Sequence, residues 1–518
     1  MLRIPVGRAT ASRCCHRRDL ATFASDPRWP GWQAVIGIEV HVQIKSRAKL
    51  FSQTRTAFDQ PPNTQVSLFD AAFPGTLPNL NIKCVELAVR TALAMGSDVQ
   101  KRSTFDRKHY FYPDLPSGYQ ITQKYAPLAM GGQVFIGQGR TVSIEQIQLE
   151  QDTAKSTKSI SGTVTRLDLN RAGAALMEIV SRPDMRTPEE AGAYVRALQA
   201  LLRAVGASDG NMEQGSLRCD VNVSVNRKDE PFGTRCEVKN LNSVRFLMSA
   251  ILSEVRRHTA LLDAGCPVPQ ETRGFDQDRA ETFLLRTKED APDYRYMPDS
   301  NLPPLLLTQD YISAIAATMP ELPSALYARL QSQYGISARD TEVLMSIESG
   351  SDMGYDGEAE KGSAVNYFEQ VADGGDPKVA ANWIIHELLG QLAFRNESFH
   401  TNPVSVETMR ELLALLHDGT LTGTSAKTLL RHILQTRTQI PLTQLIDEMS
   451  LRTASSTSLK SLCEAAVSAL PRESDVIRKG NEKVVMKLVG HVMKASRGTA
   501  NARAAADMLR EILLPPKL

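Results

Sequence analysis

The segment from Trp32 to Ile44 reads WQAVIGIEVHVQI, and it decides how the first half of the chain folds. Apolar and polar positions alternate along it. Ile36, Ile38, Val40, Val42 and Ile44 fall on one side, and Gly37, Glu39, His41 and Gln43 on the other. Successive side chains of a β-strand point to opposite faces, so one face suits a core while the other carries a carboxylate and an imidazole about 7 Å apart. On a solvated antiparallel sheet such a polar face is ordinary. It gains chemical meaning only if neighbouring strands add further ligands.

Three other segments offer them. In SIEQIQLEQD, Ile147 and Leu149 take the apolar side while Gln148, Glu150 and Asp152 take the polar one. In AALMEIVSRPD, Glu178 is bracketed by Leu176, Met177, Ile179 and Val180, as in a strand buried on both faces. A lone ionised carboxylate there costs on the order of several kcal/mol, so Glu178 is paired with a cation, holds a proton or binds a metal. GSLRCDVNVSVNRK sets Leu217, Cys219, Val221, Val223 and Val225 against Arg218, Asp220, Asn222 and Ser224. TRCEVKNLNS adds Arg235, Glu237 and Lys239. Carboxylates that can hold Mg²⁺, beside Arg and Lys that neutralise phosphoryl charge, are the inventory of a phosphate-handling site, although charged outer sheet faces are also common.

Outward from these strands, two helices are marked at their ends. Thr187, Pro188 and Glu190 form a capping box before Tyr194, Leu198, Leu201 and Leu202. Ser243 caps a second helix, with Phe246, Leu247, Ala250, Ile251 and Val255 on one face and Gly265 as its stop. From Asp310 onward helical periodicity replaces alternation, as in 377–392, 406–417 and 425–435. The Gly-, Asp-, Glu- and Ser-rich stretch 349–375 reads as a loop or linker. The first half is therefore mixed, strands with a few capped helices, and the second half all helical.

A length of 518 residues implies about three folded units. Sixty basic against 58 acidic residues give +2, so any nucleic-acid site must be local. No apolar run of 18 residues occurs, which excludes a membrane-spanning helix. Seven cysteines without a C-x-x-C pair argue for reduced thiols rather than a disulfide framework or a structural zinc site. No Walker loop, dinucleotide G-x-G-x-x-G, G-x-S-x-G elbow or Cys-His nucleophile pair is present, so the chain is not expected to hydrolyse amides itself. Arg3, Arg8, Arg13, Arg17 and Arg18 precede the first acid, Asp19, among Ser, Thr and Leu. This reads as an organelle transit peptide, with a plain basic terminus as the alternative.

GIEVHVQI, the block FDRKHYFYPDLPSGYQIT (Phe105 to Thr122), LDLNRAGAALMEIVSRPD, MEQGSLRCDVNVS, CEVKNLNSVR, QETRGFD, DYRYMPD and VMKASRGTAN follow one another in an order that closely resembles the B subunit of tRNA-dependent amidotransferases. The likeness runs from about Trp32 to Leu513. It implies a transit peptide over 1–29 with a mitochondrial matrix destination, then an α+β, cradle-like catalytic domain over 30–305 similar to glutamine synthetase and guanido kinases. A helical domain over 306–400 and a helical tRNA-binding tail over 401–518 complete it. The implied activity is that of a ligase component. ATP activates the side-chain carboxylate of Glu-tRNA(Gln), and ammonia from the partner amidase (glutaminase) then yields Gln-tRNA(Gln). The resemblance implies that this amidase, the A subunit, and a small third protein, the C subunit or its fungal-type substitute F, complete the complex. Asp-tRNA(Asn) is the alternative substrate, and an organellar address points to Glu-tRNA(Gln).

The resemblance also assigns residues. The metal falls to His41, Glu150 and Glu178 with Glu39 beside them, as Mg²⁺ or, given an imidazole ligand, Mn²⁺. Arg218 and Lys239 are expected at phosphate with Asp220, which makes Glu39, Arg218 and Lys239 the catalytic set. Zinc is not expected, because Ser52, Thr54, Ser67 and Asp70 stand where relatives carry a cysteine knuckle. Gln151 and Gln214 stand where acids are commoner, and Ala154 replaces a glycine before Lys155, which should restrict that turn. Tyr112 and Tyr119, in an aromatic cluster with Tyr110, Phe111 and Tyr125, either stack on a tRNA end or serve packing. From Arg478 to Leu518 nine Lys or Arg face three acids, and Lys479, Lys483, Lys487, Lys494 and Arg497 either contact RNA phosphates or form a solvated face. Two other readings compete: a non-catalytic tRNA-binding scaffold, and a free-standing amide ligase for a small metabolite.

Overall fold

The Trp32–Ile44 segment forms the strand Gln33–Gln43, deep inside a ten-stranded sheet of a computed structural model that describes residues 26–514 apart from 57–58, 160, 288–292, 349–353, 359–362 and 439. Most of the expected transit segment lies outside the described residues. The sheet runs Glu281–Thr287, Glu271–Asp276, Cys236–Leu241, Leu217–Asn226, Gln33–Gln43, Ala175–Ser181, Arg140–Gln151, Ala129–Met130 and Asp98–Val99, with Gln133–Gly137 also paired to Arg140–Gln151. All pairings are antiparallel except that of Cys236–Leu241 with Glu271–Asp276. Tight hairpins join only neighbours such as Glu271–Asp276 and Glu281–Thr287, whereas Gln33–Gln43 is flanked by two strands from much later in the chain, Ala175–Ser181 and Leu217–Asn226.

Alternation works as the sequence implies. Val40, Val42, Leu217, Cys219, Val221 and Val223 are fully buried. The helix Val244–Asp263 packs on the Leu217–Asn226 strand through Leu247, Ala250, Ile251 and Val255. Its cap is Ser243, whose Oγ accepts the Phe246 amide at 3.1 Å. The helix Pro188–Ala204 starts after Thr187, whose Oγ1 accepts the Glu190 amide at 3.1 Å, while the Glu190 carboxylate turns to the Arg186 amide at 2.7 Å rather than closing a full box. Tyr194, Leu198 and Leu202 are buried, each such apolar side chain contributing roughly 1.5–3 kcal/mol. Apolar burial thus fixes one face of the sheet and leaves the other to polar side chains.

The second unit, residues 316–514 with 45–47 and 200–209, is built of helices. One apolar cluster joins Leu330 to Leu451 and another joins Leu459 to Leu513. The first core runs straight across position 400, where a boundary was expected, so the break between cores falls at 452–458. Within the stretch read as a linker, the helix Ala364–Ala372 buries Val365, Phe368 and Val371. That reading is corrected: Ser363 caps the helix, accepting the Asn366 amide at 3.2 Å, and the Gly- and Asp-rich flanks hid its short apolar face. The helix from Pro377 to Phe394 is interrupted by a π-helical turn at Trp383–Leu388 that no local signal announces. Among the described residues no helix is long and apolar enough to cross a membrane.

Candidate active site

Strand register carries the polar face into rows. His41 stands opposite Glu178 on one side and Arg218 on the other, and Glu178 faces Gln148 in turn. Two residues along, Glu39 faces Asp220. Cross-strand neighbours on one face lie within side-chain reach, so residues far apart in sequence meet here. His41 Nδ1 lies 3.5 Å from Glu150 Oε2, and the ligand atoms of His41, Glu150 and Glu178 are all within 4.8 Å of one another. Gln148 Nε2 donates to Glu178 Oε2, and Asn222 Nδ2 donates to Glu39 Oε1 at 3.0 Å.

Burial sets the electrostatics. Glu150 is 2 % exposed. Burial alone would raise its pKa, but Lys108, His41 and Arg218 outweigh that and hold it below the usual carboxylate range. Glu178 is pushed the other way, first by burial and then by the charge of Glu150. Burial opposes the charged form of His41, yet the hydrogen bond to Glu150 and the charges of Glu178, Glu150 and Asp220 push the imidazole up to about 9. Two carboxylates and an imidazole that converge in this way form a donor set suited to a hard or borderline divalent ion.

Basic groups flank this set. Arg218 Nη2 donates to Asp152 Oδ2 at 2.9 Å, while its buried Nε has no hydrogen-bond partner among the described residues. Lys239 Nζ lies 2.7 Å from Asp220 Oδ2 and 2.9 Å from Glu237 Oε1. These carboxylates raise the pKa of Lys239 against the effect of burial. Asp220 thus holds the lysine in place. Lys108 escaped the sequence reading: it comes from the strand Asp106–His109, outside the main sheet, yet its Nζ lies 3.9 Å from Glu150 Oε1 and 4.9 Å from the centre of the Tyr294 ring. Only its place in the resembling block could have singled it out.

The remaining expected residues are dispersed. Tyr112 is 59 % exposed, and Tyr119 packs beneath the Arg107 guanidinium at 4.1 Å. Lys479, Lys483, Lys487, Lys494 and Arg497 are all exposed in the second unit. Ser52, Thr54, Ser67 and Asp70 gather around Lys49. Its buried ammonium lies 3.0 Å from Asp70 Oδ2 and donates to Gln65 O at 2.7 Å, while its amide donates to Thr54 O. Ser52 Oγ and the Ser67 amide complete the bonds to Asp70, and a Cβ added at Gly173, φ +78°, would stand 2.7 Å from Asp70 Oδ1. Ala154 does not strain its turn, since it avoids positive φ and its amide donates to Asp114 O at 2.9 Å. Gln214 sits exposed in a turn, its amide donating to Asn211 Oδ1.

A second buried cluster, Cys236, Glu254 and His258, was also missed. Arg257 Nη2 donates to Cys236 Sγ at 3.3 Å and to Glu254 Oε2 at 2.8 Å, and lies 3.1 Å from His258 Nε2. The protein's own cation therefore fills the space between the three ligands.

The GatB/GatE catalytic domain family matches residues 34–313, and the GatB domain family matches residues 366–513. The mitochondrial B subunit of the glutamyl-tRNA(Gln) amidotransferase of Laccaria bicolor is 53 % identical, over 98 % of this chain and 97 % of that protein. The protein of the same description from Mycosarcoma maydis is 48 % identical over 95 % and 88 %. The B subunit of the aspartyl/glutamyl-tRNA(Asn/Gln) amidotransferase of Azorhizobium caulinodans is 45 % identical over 93 % and 96 %. With near full-length identity to these proteins and both domain families in order, the chain belongs to the B-subunit family of the tRNA-dependent amidotransferases.

Proposed function

We propose that this chain is the carboxylate-activating component of a glutamyl-tRNA(Gln) amidotransferase in mitochondrial protein synthesis, and that ATP drives the activation. The observation that carries the reading is the convergence of His41, Glu150 and Glu178 within 4.8 Å, with Arg218 across the strand from His41. A side-chain carboxylate resists ammonia because oxide is a poor leaving group. In the proposed reaction a carboxylate oxygen attacks the γ-phosphorus of ATP and ADP departs. The nitrogen of ammonia then adds to the acyl carbon, phosphate leaves, and the nitrogen loses a proton to give the amide.

His41, Glu150 and Glu178 would hold Mg²⁺ or Mn²⁺, which when bound neutralises phosphate charge. Arg218, through its unpartnered Nε, and Lys239 orient phosphoryl oxygens. Glu39 and Asp220 keep the polar row ordered, Asp220 by holding Lys239. Lys108 keeps Glu150 ionised beside the reacting carboxylate. The cradle likeness to glutamine synthetase and guanido kinases is the fold-level companion of this chemistry. The exposed tail lysines and Arg497 contact RNA phosphates, and Tyr112 and Tyr119 lie near the acceptor end. A partner amidase, the A subunit, supplies ammonia, and a small third protein of the C or F type completes the complex.

Isotope transfer tests the step. Glu-tRNA(Gln) labelled with ¹⁸O in its side-chain carboxylate, incubated with the assembled complex, ATP and ammonium, should give ¹⁸O in inorganic phosphate. Amide formation without label in phosphate would contradict activation by phosphorylation.

A further inference from the structure

Between the helix Val244–Asp263 and the strand Cys236–Leu241 lies a convergence that the proposed chemistry does not use. The ligand atoms of Cys236, Glu254 and His258 are within 4.8 Å of one another, and all three side chains are fully buried. Unlike the His41 cluster, this one contains sulfur. Arg257 Nη2 sits among the three, 3.3 Å from Cys236 Sγ, 2.8 Å from Glu254 Oε2 and 3.1 Å from His258 Nε2. His258 Nε2 also lies 3.1 Å from Glu254 Oε2. No protonation state of the ring satisfies both of its contacts. With hydrogen on Nε2 it donates to Glu254 but turns an N–H toward the N–H groups of Arg257; without it the ring accepts from Arg257 but sets its lone pair against the carboxylate. The buried Nδ1 finds no hydrogen-bond partner among the described residues, so nothing on that side fixes the tautomer. Such a mismatch is costly in a buried site. A divalent ion in place of the guanidinium nitrogen resolves it, because the ion takes the lone pairs of sulfur, nitrogen and oxygen together.

The surroundings suit that exchange. Besides Arg257, Glu254 Oε1 is held by Arg273 Nε at 3.1 Å and by the Thr282 hydroxyl, which leaves Oε2 aimed at the shared space. Outer hydrogen bonds of this kind orient metal-binding carboxylates. Arg257 is the one member of the group that reaches solvent, at 21 % exposure, and its Nη1 already lies 3.8 Å from Glu271 Oε2. Burial opposes a thiolate at Cys236, yet the hydrogen bond and charge of His258, with the charge of Arg257, hold the thiol below its ordinary range. We propose that Cys236, Glu254 and His258 form a site for a thiophilic divalent cation of the Zn²⁺ class, filled when Arg257 swings out to Glu271. The ion takes the place of the proton that the Cys236 thiol donates to Pro269 O at 3.1 Å, and that proton leaves to solvent. Thiolate and carboxylate then balance its two charges. The site is separate from the knuckle position at Ser52, Thr54, Ser67 and Asp70, where the Lys49 ammonium supplies the cation.

The test uses the full chain in its assembled complex, stripped of metal, with Co²⁺ as the probe. A thiolate ligand gives an intense near-ultraviolet sulfur-to-cobalt charge-transfer band, and the His41 cluster has no thiolate to produce one. Titration of wild type should develop the band, and Zn²⁺ should bleach it. Cys236→Ser, a nearly isosteric change, should abolish the band, while Cys266→Ser, at an exposed thiol, should leave it unchanged. Arg257→Gln removes the competing cation at a position that reaches solvent, and should tighten Co²⁺ binding about tenfold. Absence of the band in both wild type and Arg257→Gln, a measurement that needs no change at a buried residue, would overturn the site. So would a band that survives Cys236→Ser. Equal Co²⁺ affinity in wild type and Arg257→Gln would overturn the displacement of Arg257.

Discussion

His41 binds a proton that it would have to release to coordinate the proposed metal. With its pKa pushed up to about 9 by Glu150 and Glu178 against the effect of burial, the imidazole is charged at pH 7, and coordination requires the neutral ring. The sign follows directly. Below about 9 each lost pH unit should weaken divalent-ion binding by about tenfold, and above it the affinity should level off. Mn²⁺ titrations followed by electron paramagnetic resonance at pH 7, 8 and 9 check this, and equal affinities would contradict it. That His41, Glu150 and Glu178 would share a face was legible in the sequence, because strand alternation decides which side chains point the same way. Lys108 was not, since it reaches Glu150 from a different sheet and only tertiary packing brings the two together.

Among elements, the helix Val244–Asp263 is attached to its sheet by charge as well as by apolar contact. Glu254, fully buried, meets His258 and Arg257 on its own helix, and Arg273 and Thr282 from the sheet. Burial would raise its pKa, but the hydrogen bonds from His258, Arg257 and Thr282 outweigh that and bring it to about 2. A depressed carboxyl pKa contributes stability that is complete above about 4.5 and is lost as pH falls toward 2. Glu254→Gln should therefore cost about 3 kcal/mol at pH 7, because it leaves buried arginines uncompensated, and should flatten the acid branch of the stability curve. Urea unfolding at pH 7 and pH 3 measures both; equal losses at the two pH values would contradict the assignment. On the same scale, Leu198→Ala should cost about 2–5 kcal/mol as a cavity mutation, read by the same titration. The sequence marked this helix by its Ser243 cap and apolar stripe, but the stripe reading passed over Glu254 and His258, since charged residues at core positions look like interruptions until their partners are seen. The helix Ala364–Ala372 was missed for the converse reason, a short apolar face between glycine-rich flanks.

For the whole molecule, charge is local rather than global. The net charge is only +2, yet the tail exposes Lys479, Lys483, Lys487, Lys494 and Arg497. If Lys483 and Lys487 meet duplex phosphates, replacing both by Ala should weaken tRNA binding and reduce its log–log salt slope by nearly two, at about 0.9 per contact. Unchanged slopes between about 50 and 200 mM salt, a range of ordinary binding assays, would refute that placement. Fold class and the change to helices near residue 309 could be read from periodicity, whereas the break between helical cores could not, because helices on both sides of position 400 carry the same amphipathic pattern. The central claim is that this chain activates the carboxylate at the His41, Glu150 and Glu178 cluster. Its most direct test supplies the chain, co-expressed with its amidase partner, with ATP, Mg²⁺, Glu-tRNA(Gln) and ammonium chloride in place of glutamine. Gln-tRNA(Gln) should form with wild type and fall by about a hundredfold or more in Glu178→Gln while tRNA affinity stays unchanged; no product from wild type despite tight tRNA binding, or full activity in Glu178→Gln, would contradict the account.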